Sequence, residues 1–367
     1  MKVIYQQLLD IYDKEIRINC RNKNKVYNFE KYKIQNITSI YNSLINNDYK
    51  PRKYNIFIIR DPKYRIVMSL SIRDKTINHY LARHILIPKL EKYLEMRNIA
   101  TRKNMGSDYG IKLVKKYLEK NKKYGKFYIL KLDIKKYFYS IDHNVLKSLL
   151  VDKLESDEYD IVSTIIDSTN ASYINENIRF LKEKMIAKYP KIKDKINELP
   201  YYEYDKGLSL GAMTSQFLSI FYLYKLDHYI IHDLHLKYMI RYMDDYIIIH
   251  HDKDYLRKCL SDIESKLKNE YKLNINIKKT KITDNKEGFV FLGYRFQIKN
   301  KKTIIKIKSE TIQRGKKRIK KMKYLYDKDI ITLEKYFCSI NTYYYSFKYS
   351  NLNKFKRIVD RNLYSSG

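Results

Sequence analysis

Residues 239–249, MIRYMDDYIII, hold two adjacent aspartates, Asp244 and Asp245, between an apolar run leading in and a strongly apolar run leading out. Apolar runs on either side of a short break predict two strands and a hairpin turn. Aspartate suits a turn because its carboxylate caps its own backbone. Two carboxylates side by side repel, however, and Asn-Gly would make a better hairpin. Standing alone, an Asp-Asp turn reads as an ordinary hairpin. It reads as a site once something gives negative charge a reason to gather there.

A third carboxylate supplies that reason. Residues 127–132, FYILKL, predict a buried strand that ends at Asp133 within LKLDIKKYFYSIDH. If the two strands are neighbours, Asp133, Asp244 and Asp245 converge at one edge of a sheet. Mg²⁺ prefers hard oxygen ligands and keeps waters and phosphates in its shell. Two such ions about 3.5–4 Å apart stabilise both the attacking and the leaving oxygen of phosphoryl transfer. The pattern therefore points to two Mg²⁺ ions, with Mn²⁺ as a substitute and the Ile134 carbonyl completing a shell. Asp142 and His143 tempt as further ligands. Asp142, though, precedes the helical pattern Val145, Leu146, Leu149 and Leu150, and is expected to be an N-cap.

The charge balance says what such a site would act on. The chain carries 75 Lys+Arg against 41 Asp+Glu, a formal net charge of +34 over 367 residues. That excess fits a polyanion, since neutralising phosphates releases condensed counterions. A membrane is excluded as a partner that is crossed: no apolar stretch approaches the ~20 residues a span requires. The N-terminal MKVIYQQLLDIYDKE mixes charges into its apolar spacing and lacks a signal-peptide apolar region. Cys20, Cys259 and Cys338 have no metal-ligand spacing and are expected as reduced core thiols of a cytoplasmic protein.

With 9 Gly and 5 Pro, the chain has no flexible linker. Helices are expected over 3–46, two strands around an Asp-Pro turn over 54–72, and a helix over 73–98. Helices dominate 143–197, a Gly-containing loop at 206–212 leads into a helix over 213–232, and another helix spans 254–270. Strands return at 289–307, and a basic helical pattern runs from Ser309 onward, with the aromatics Tyr343, Tyr344, Tyr345 and Phe347 expected in the core. This order predicts an α+β fold with helices packed on a sheet.

Taken in order, the motifs resemble those of reverse transcriptases, and the resemblance covers residues 50–350. Tyr242-Met243-Asp244-Asp245 resembles the YxDD motif, and Asp133 with Phe138 five residues on resembles the first catalytic motif. Residues 207–216, GLSLGAMTSQ, resemble the loop and helix beneath the incoming nucleotide. Lys281 in NIKKTKI and Phe291-Leu292-Gly293-Tyr294 resemble the next two motifs, the latter being the primer grip. Arg102 and Gly106 resemble a fingers motif. The Gly-x-x-x-Ser-Gln form, Gly211 to Gln216, is similar to prokaryotic enzymes of diversity-generating retroelements, abortive infection and phage defence.

The resemblance implies a right-hand polymerase: fingers over 1–125, a palm over 126–298 with a helical insertion at 151–204, and a basic helical thumb over 299–367. It implies RNA-directed DNA polymerase activity, with an RNA template, a DNA or RNA primer, dNTPs, and a noncoding RNA or small accessory protein as further partners. Asp133, Asp244 and Asp245 would be catalytic. Lys63, Arg65, Arg73, Phe138, Leu210, Gly211 and Gln216 would line the nucleotide, with Phe138 as a steric gate against a 2′-hydroxyl. Tyr242, Lys281, Leu292 and Gly293 would meet primer and template, as would Lys316, Lys317, Arg318 and Lys320. Leu210 stands where many replicative members carry Gln, and this departure implies looser nucleotide selection. Template removal is expected to belong to another protein. The competing classes are an RNA-product or template-independent polymerase and a non-catalytic nucleic-acid-binding protein. The intact triad argues against the last.

Overall fold

The computed structural model describes residues 2–60, 63–346 and 348–350. It divides into two compact units. The first comprises Met1–Thr101, Ile134–His235 and Ser261–Asn276; the second comprises Arg102–Asp133, Leu236–Leu260 and Ile277–Gly367.

In the first unit, helices Tyr5–Ile11, Lys23–Glu30 and Lys33–Ile45 precede an antiparallel hairpin of β1 (Asn55–Arg60) and β2 (Tyr64–Ser69). The expected Asp61-Pro62 turn lies outside the described residues. The hairpin exists because one face is buried: Ile56, Ile66 and Met68 pack with Ile174 and Ile178 of helix Tyr173–Lys188, and with Tyr202. Burying such side chains is worth about 1.5–3 kcal/mol each.

The expected helix over 73–98 is broken into pieces. Helix Ile72–Tyr80 starts at Ser71, whose hydroxyl accepts from the Asp74 N–H at 3.1 Å. A π turn, Leu81–Leu86, follows, and then a short turn from Ile87. Pro88 is the cause. It has no N–H to give, and its ring would press on the carbonyl four residues back, so the helix widens ahead of it. The expected helix over 213–232 likewise runs as Met213–Tyr222, Tyr224–His228 and a π turn, Tyr229–Asp233. Met213–Tyr222 is buried on nearly all sides, as its apolar composition requires. Asp142 is an N-cap as expected: its carboxylate accepts from the Val145 N–H at 3.0 Å.

The second unit is built on a four-stranded antiparallel sheet in the order β4 (Met239–Tyr242), β5 (Asp245–His250), β3 (Tyr128–Asp133), β6 (Lys281–Asp284). The central pair is apolar on both faces, with Ile129, Leu130, Leu132, Ile247, Ile248 and Ile249 all buried. Helix Ser107–Asn121 packs on β4 and β5. Strand β6, KITD, is absent from the sequence reading: it is short and charged, as edge strands are. A three-stranded meander follows, β7 (Phe289–Phe291), β8 (Tyr294–Lys299) and β9 (Lys302–Ile307). Beyond it run helices Ser309–Asp327 and Leu333–Ser346.

Two expectations fail on exposure. Only Cys259 is a core thiol; Cys20 is half-buried and Cys338 exposed. Of the aromatics 343–347, expected in the core, Tyr345 is exposed and donates its hydroxyl to Asp108 at 2.9 Å. Tyr343 is half-buried against Gly315, while the side chains of Tyr344 and Phe347 lie outside the described residues. Among the described residues no helix is long and apolar enough to cross a membrane.

Candidate active site

The sheet register brings the predicted carboxylates together. β3 and β5 are antiparallel, and their pairing runs from Tyr128↔His250 to Asp133↔Asp245. The last residue of one strand therefore faces the first residue of the other. Met243 and Asp244 form the two-residue turn between β4 and β5, closed by the pair Tyr242↔Asp245. Met243 takes φ +56°, the positive value a tight hairpin demands at its first position. Beneath the turn, Arg241 is fully buried; it donates to the Met243 carbonyl at 3.0 Å and lies over the Tyr246 ring.

Like charges directly opposite in a ladder destabilise it. Two lysines offset the repulsion. The Lys279 ammonium lies 2.9 and 2.8 Å from the two Asp133 oxygens. Lys131 lies 3.3 Å from Asp245 Oδ1 and donates to the Val290 carbonyl at 2.9 Å. Asp133 is only 7% exposed. Burial pushes the Asp245 carboxyl up to about 6; the charges of Asp244 and Asp133 add to the rise and Lys131 opposes it. Its Oδ1 is buried, and Lys131 meets it as an ion pair without hydrogen-bond geometry.

These observations bear on metal. Three carboxylates, one with a buried oxygen that makes no well-formed hydrogen bond, make a hard-oxygen donor set that fits Mg²⁺ or Mn²⁺. Ile134, expected to add its carbonyl, follows Asp133 directly; it is buried and makes a single bridge to Ile275.

In the same unit, Leu292 and Gly293 form the β7–β8 turn. Both have positive φ, +48° and +82°, as a type I′ hairpin requires. Tyr242 is partly exposed. Lys281 opens β6 opposite Lys131, with its ammonium 3.7 Å from Glu287. The lysine that reaches the triad is thus Lys279, two residues earlier in the same segment. Lys316, Lys317, Arg318 and Lys320 are all exposed on helix Ser309–Asp327, whose other face buries Gly315 and Ile319.

The residues expected to line the nucleotide lie in the first unit. The loop over 207–211 is held largely through its backbone groups. Gly207 N–H donates to the Ile141 carbonyl at 2.8 Å, and Leu208 N–H to the Phe138 carbonyl at 2.7 Å. Met68 N–H donates to the Leu210 carbonyl at 3.0 Å, and His143 Nε2 lies 2.8 Å from the Gly207 carbonyl. Phe138, Leu210 and Gly211 are thereby gathered beside β2. Gly211 has φ +124°, and a Cβ there would sit 3.1 Å from the Met68 carbonyl, so only glycine fits without strain. Gln216 is exposed in the first turn of its helix. Lys63 and Arg65 are exposed on the hairpin. Arg73 is engaged within its own unit: its guanidinium donates to the Lys50 carbonyl at 3.2 Å and Ser43 Oγ at 3.3 Å, and covers the Tyr49 ring.

The sequence reading missed Lys131, Lys279 and Arg241. A signal existed for Lys131, a lone charge in an apolar strand two residues before Asp133 and so on the same face.

The sequence profile of the reverse transcriptase (RNA-dependent DNA polymerase) family matches residues 52–296. Among solved structures, apo telomerase from Candida tropicalis truncated from its C-terminal domain matches with TM-score 0.50 and 13% identity, over 70% of this chain and 55% of that one. The untruncated apo telomerase from Candida tropicalis matches with TM-score 0.45 and 15% identity, over 70% and 48%. Telomerase from Candida albicans in complex with a TWJ fragment of telomeric RNA matches with TM-score 0.45 and 13% identity, over 72% and 46%. The chain spans about half the length of these structures. No curated protein matches the sequence. The likeness at TM-score 0.50 is one of fold, a right-hand polymerase.

The raised Asp245 carboxyl gives a prediction. The unfolded chain ionises this group near 4, whereas the folded chain does so near 6, so at neutral pH the metal-free fold bears the cost of the buried charge. Asp245→Asn is expected to stabilise the metal-free protein at pH 7.5 by roughly 1–3 kcal/mol. The gain should shrink as pH falls through 6 and vanish near 4. Denaturant melts of both proteins across that range measure it; a gain that does not change with pH would refute the assignment.

Proposed function

The chain belongs to the reverse transcriptase family, and from this premise we propose that it extends a primer with deoxynucleotides on an RNA template. The observation that carries the reading is Asp133 facing Asp245 across the β3–β5 ladder, with Asp244 in the adjoining turn. Asp133, Asp244, Asp245 and the Ile134 carbonyl would hold two Mg²⁺, or Mn²⁺ in their place. Bound there, the ions supply a lowered pKa for the primer 3′-hydroxyl and charge neutralisation for the triphosphate and departing pyrophosphate. The protein's own part is positioning. Arg241 braces the turn that carries Asp244, while Lys131 and Lys279 keep the carboxylates in place against their mutual repulsion.

By the family's motif order, Phe138, Leu210, Gly211 and Gln216 meet the nucleotide. Gly211 lets the backbone approach the nucleotide closely, and Phe138 closes the space a 2′-hydroxyl would need. Lys63 and Arg65, exposed on the hairpin, supply phosphate contacts, and Arg73 shapes the hairpin's base. Tyr242, Lys281, Leu292 and Gly293 meet primer and template. Lys316, Lys317, Arg318 and Lys320 track the duplex phosphates, a contact without sequence preference. Fingers, palm and thumb correspond to 1–125, 126–298 and 299–367. Leu210 cannot donate the side-chain hydrogen bond a Gln would offer, so nucleotide selection is loose. A cytoplasmic role in antiphage defence or retroelement diversification, with a noncoding RNA or small accessory protein, suits an enzyme of this kind.

Three measurements test these assignments. Asp244→Asn should lower extension of a primed RNA template with dNTPs and Mg²⁺ by about 10³-fold or more, as loss of a central catalytic group does; equal product from the variant would sink the mechanism. Phe138→Ala should admit ribonucleotides, and unchanged discrimination between NTPs and dNTPs would remove the gate. Leu210→Gln should lower the misincorporation frequency, an idea that equal error rates would end.

A further inference from the structure

A second set of metal-type donors lies in the first unit and uses none of the triad. His228 ends helix Tyr224–His228, and His232 lies four residues on in the π turn Tyr229–Asp233. Residues four apart share a helix face, and the two imidazoles stack with centroids 4.2 Å apart. Glu95, just past the 3₁₀ turn Glu91–Tyr93, brings its Oε1 to 2.9 Å from His232 Nε2. One donor atom from each of the three lies within 4.8 Å of the other two. The segment that carries Glu95 is anchored, since the Asn98 amide donates to the Ile220 carbonyl at 3.3 Å. Both histidines are exposed, and Glu95 and His228 line a cavity of about 460 Å³.

A His–Glu ion pair accounts for two of these residues but gives no reason for the second imidazole. A transition-metal ion accounts for all three. We propose that Glu95, His228 and His232 bind one Zn²⁺-class dication, at a site separate in composition from the Mg²⁺ carboxylates. Imidazole nitrogen is a borderline donor that suits Zn²⁺ and its neighbours rather than Mg²⁺. Lys92 and Lys225 line the same cavity and disfavour a hard cation held by charge alone. Tetrahedral Zn²⁺ with bonds of about 2.0–2.2 Å sets its ligand atoms about 3.4 Å apart. The exposed His228 ring turns inward to close the set, and Glu95 passes from hydrogen-bond acceptor to ligand. The fourth position is left to water or to a donor from another molecule. The ion would tie the Glu95–Asn98 segment to the Tyr224–Asp233 helix.

This proposal stands independently of the polymerase reading. The test uses tag-free, chelator-stripped full-length protein titrated with Co²⁺. Tetrahedral d–d absorption should rise to one equivalent and be discharged by one equivalent of Zn²⁺. His232→Gln and Glu95→Gln, each substituting an accessible side chain, should weaken Co²⁺ binding by about tenfold or more, while Asp244→Asn keeps the spectrum. Absence of the tetrahedral bands overturns the site, as does their persistence in both ligand variants with unchanged affinity.

Discussion

Two carboxylates face each other where β3 ends and β5 begins, and the rest of the site is arranged around that conflict. A ladder does not tolerate opposed like charges unless something cancels them. Here the cancelling groups are two ammonium ions, Lys279 on Asp133 and Lys131 beside Asp245. The apolar ladder behind them, from Leu132 and Tyr246 back to Tyr128 and His250, fixes the register. A slip of one residue would turn Asp133 to the opposite face. The fully buried isoleucines of β5 therefore do more than fill the core: they decide that the carboxylates meet.

The same reasoning explains what could be read from the sequence. The YMDD turn, the strand ending at Asp133 and the Asp142 cap were legible because each depends on local pattern. Strand β6 was not legible: KITD carries no apolar alternation and becomes a strand only because β3 offers it a free edge. The π turns at Leu81–Leu86 and Tyr229–Asp233 were also hidden, since a 3.6-residue period does not distinguish a helix that widens for one turn. Lys279 was not legible because sequence order does not say which lysine of a KKTK run turns toward a carboxylate. Exposure of Cys338 and Tyr345 was out of reach for a related reason, since it depends on which helix face finds a partner.

The nucleotide loop shows a different division of labour. Within it the backbone is the common partner: the carbonyls of Ile141, Phe138 and Leu210 and the N–H of Met68 tie it down, while the side chains of His143, Thr169 and Tyr202 reach its carbonyls from outside. Side-chain identity therefore matters at few positions within it. Gly211 is one, because Met68 leaves no room for a Cβ. Leu210 is the informative contrast. Its backbone is committed to β2, so its side chain can vary without disturbing the loop. A departure from the family pattern there leaves the scaffold intact.

The basic excess divides into two populations that obey different physics. On helix Ser309–Asp327 the cations are exposed and screened, so any attraction they offer a phosphate is sequence-blind and weakens with salt. Beside the triad they are few, placed within hydrogen-bonding distance, and set against carboxylates that are partly withdrawn from water. There each ammonium competes for the oxygens a metal ion would need. The lysines thus offset the repulsion within the sheet, and a divalent ion would have to displace them to bind there. A dication can do so because it meets several carboxylates at once, whereas each lysine satisfies only one.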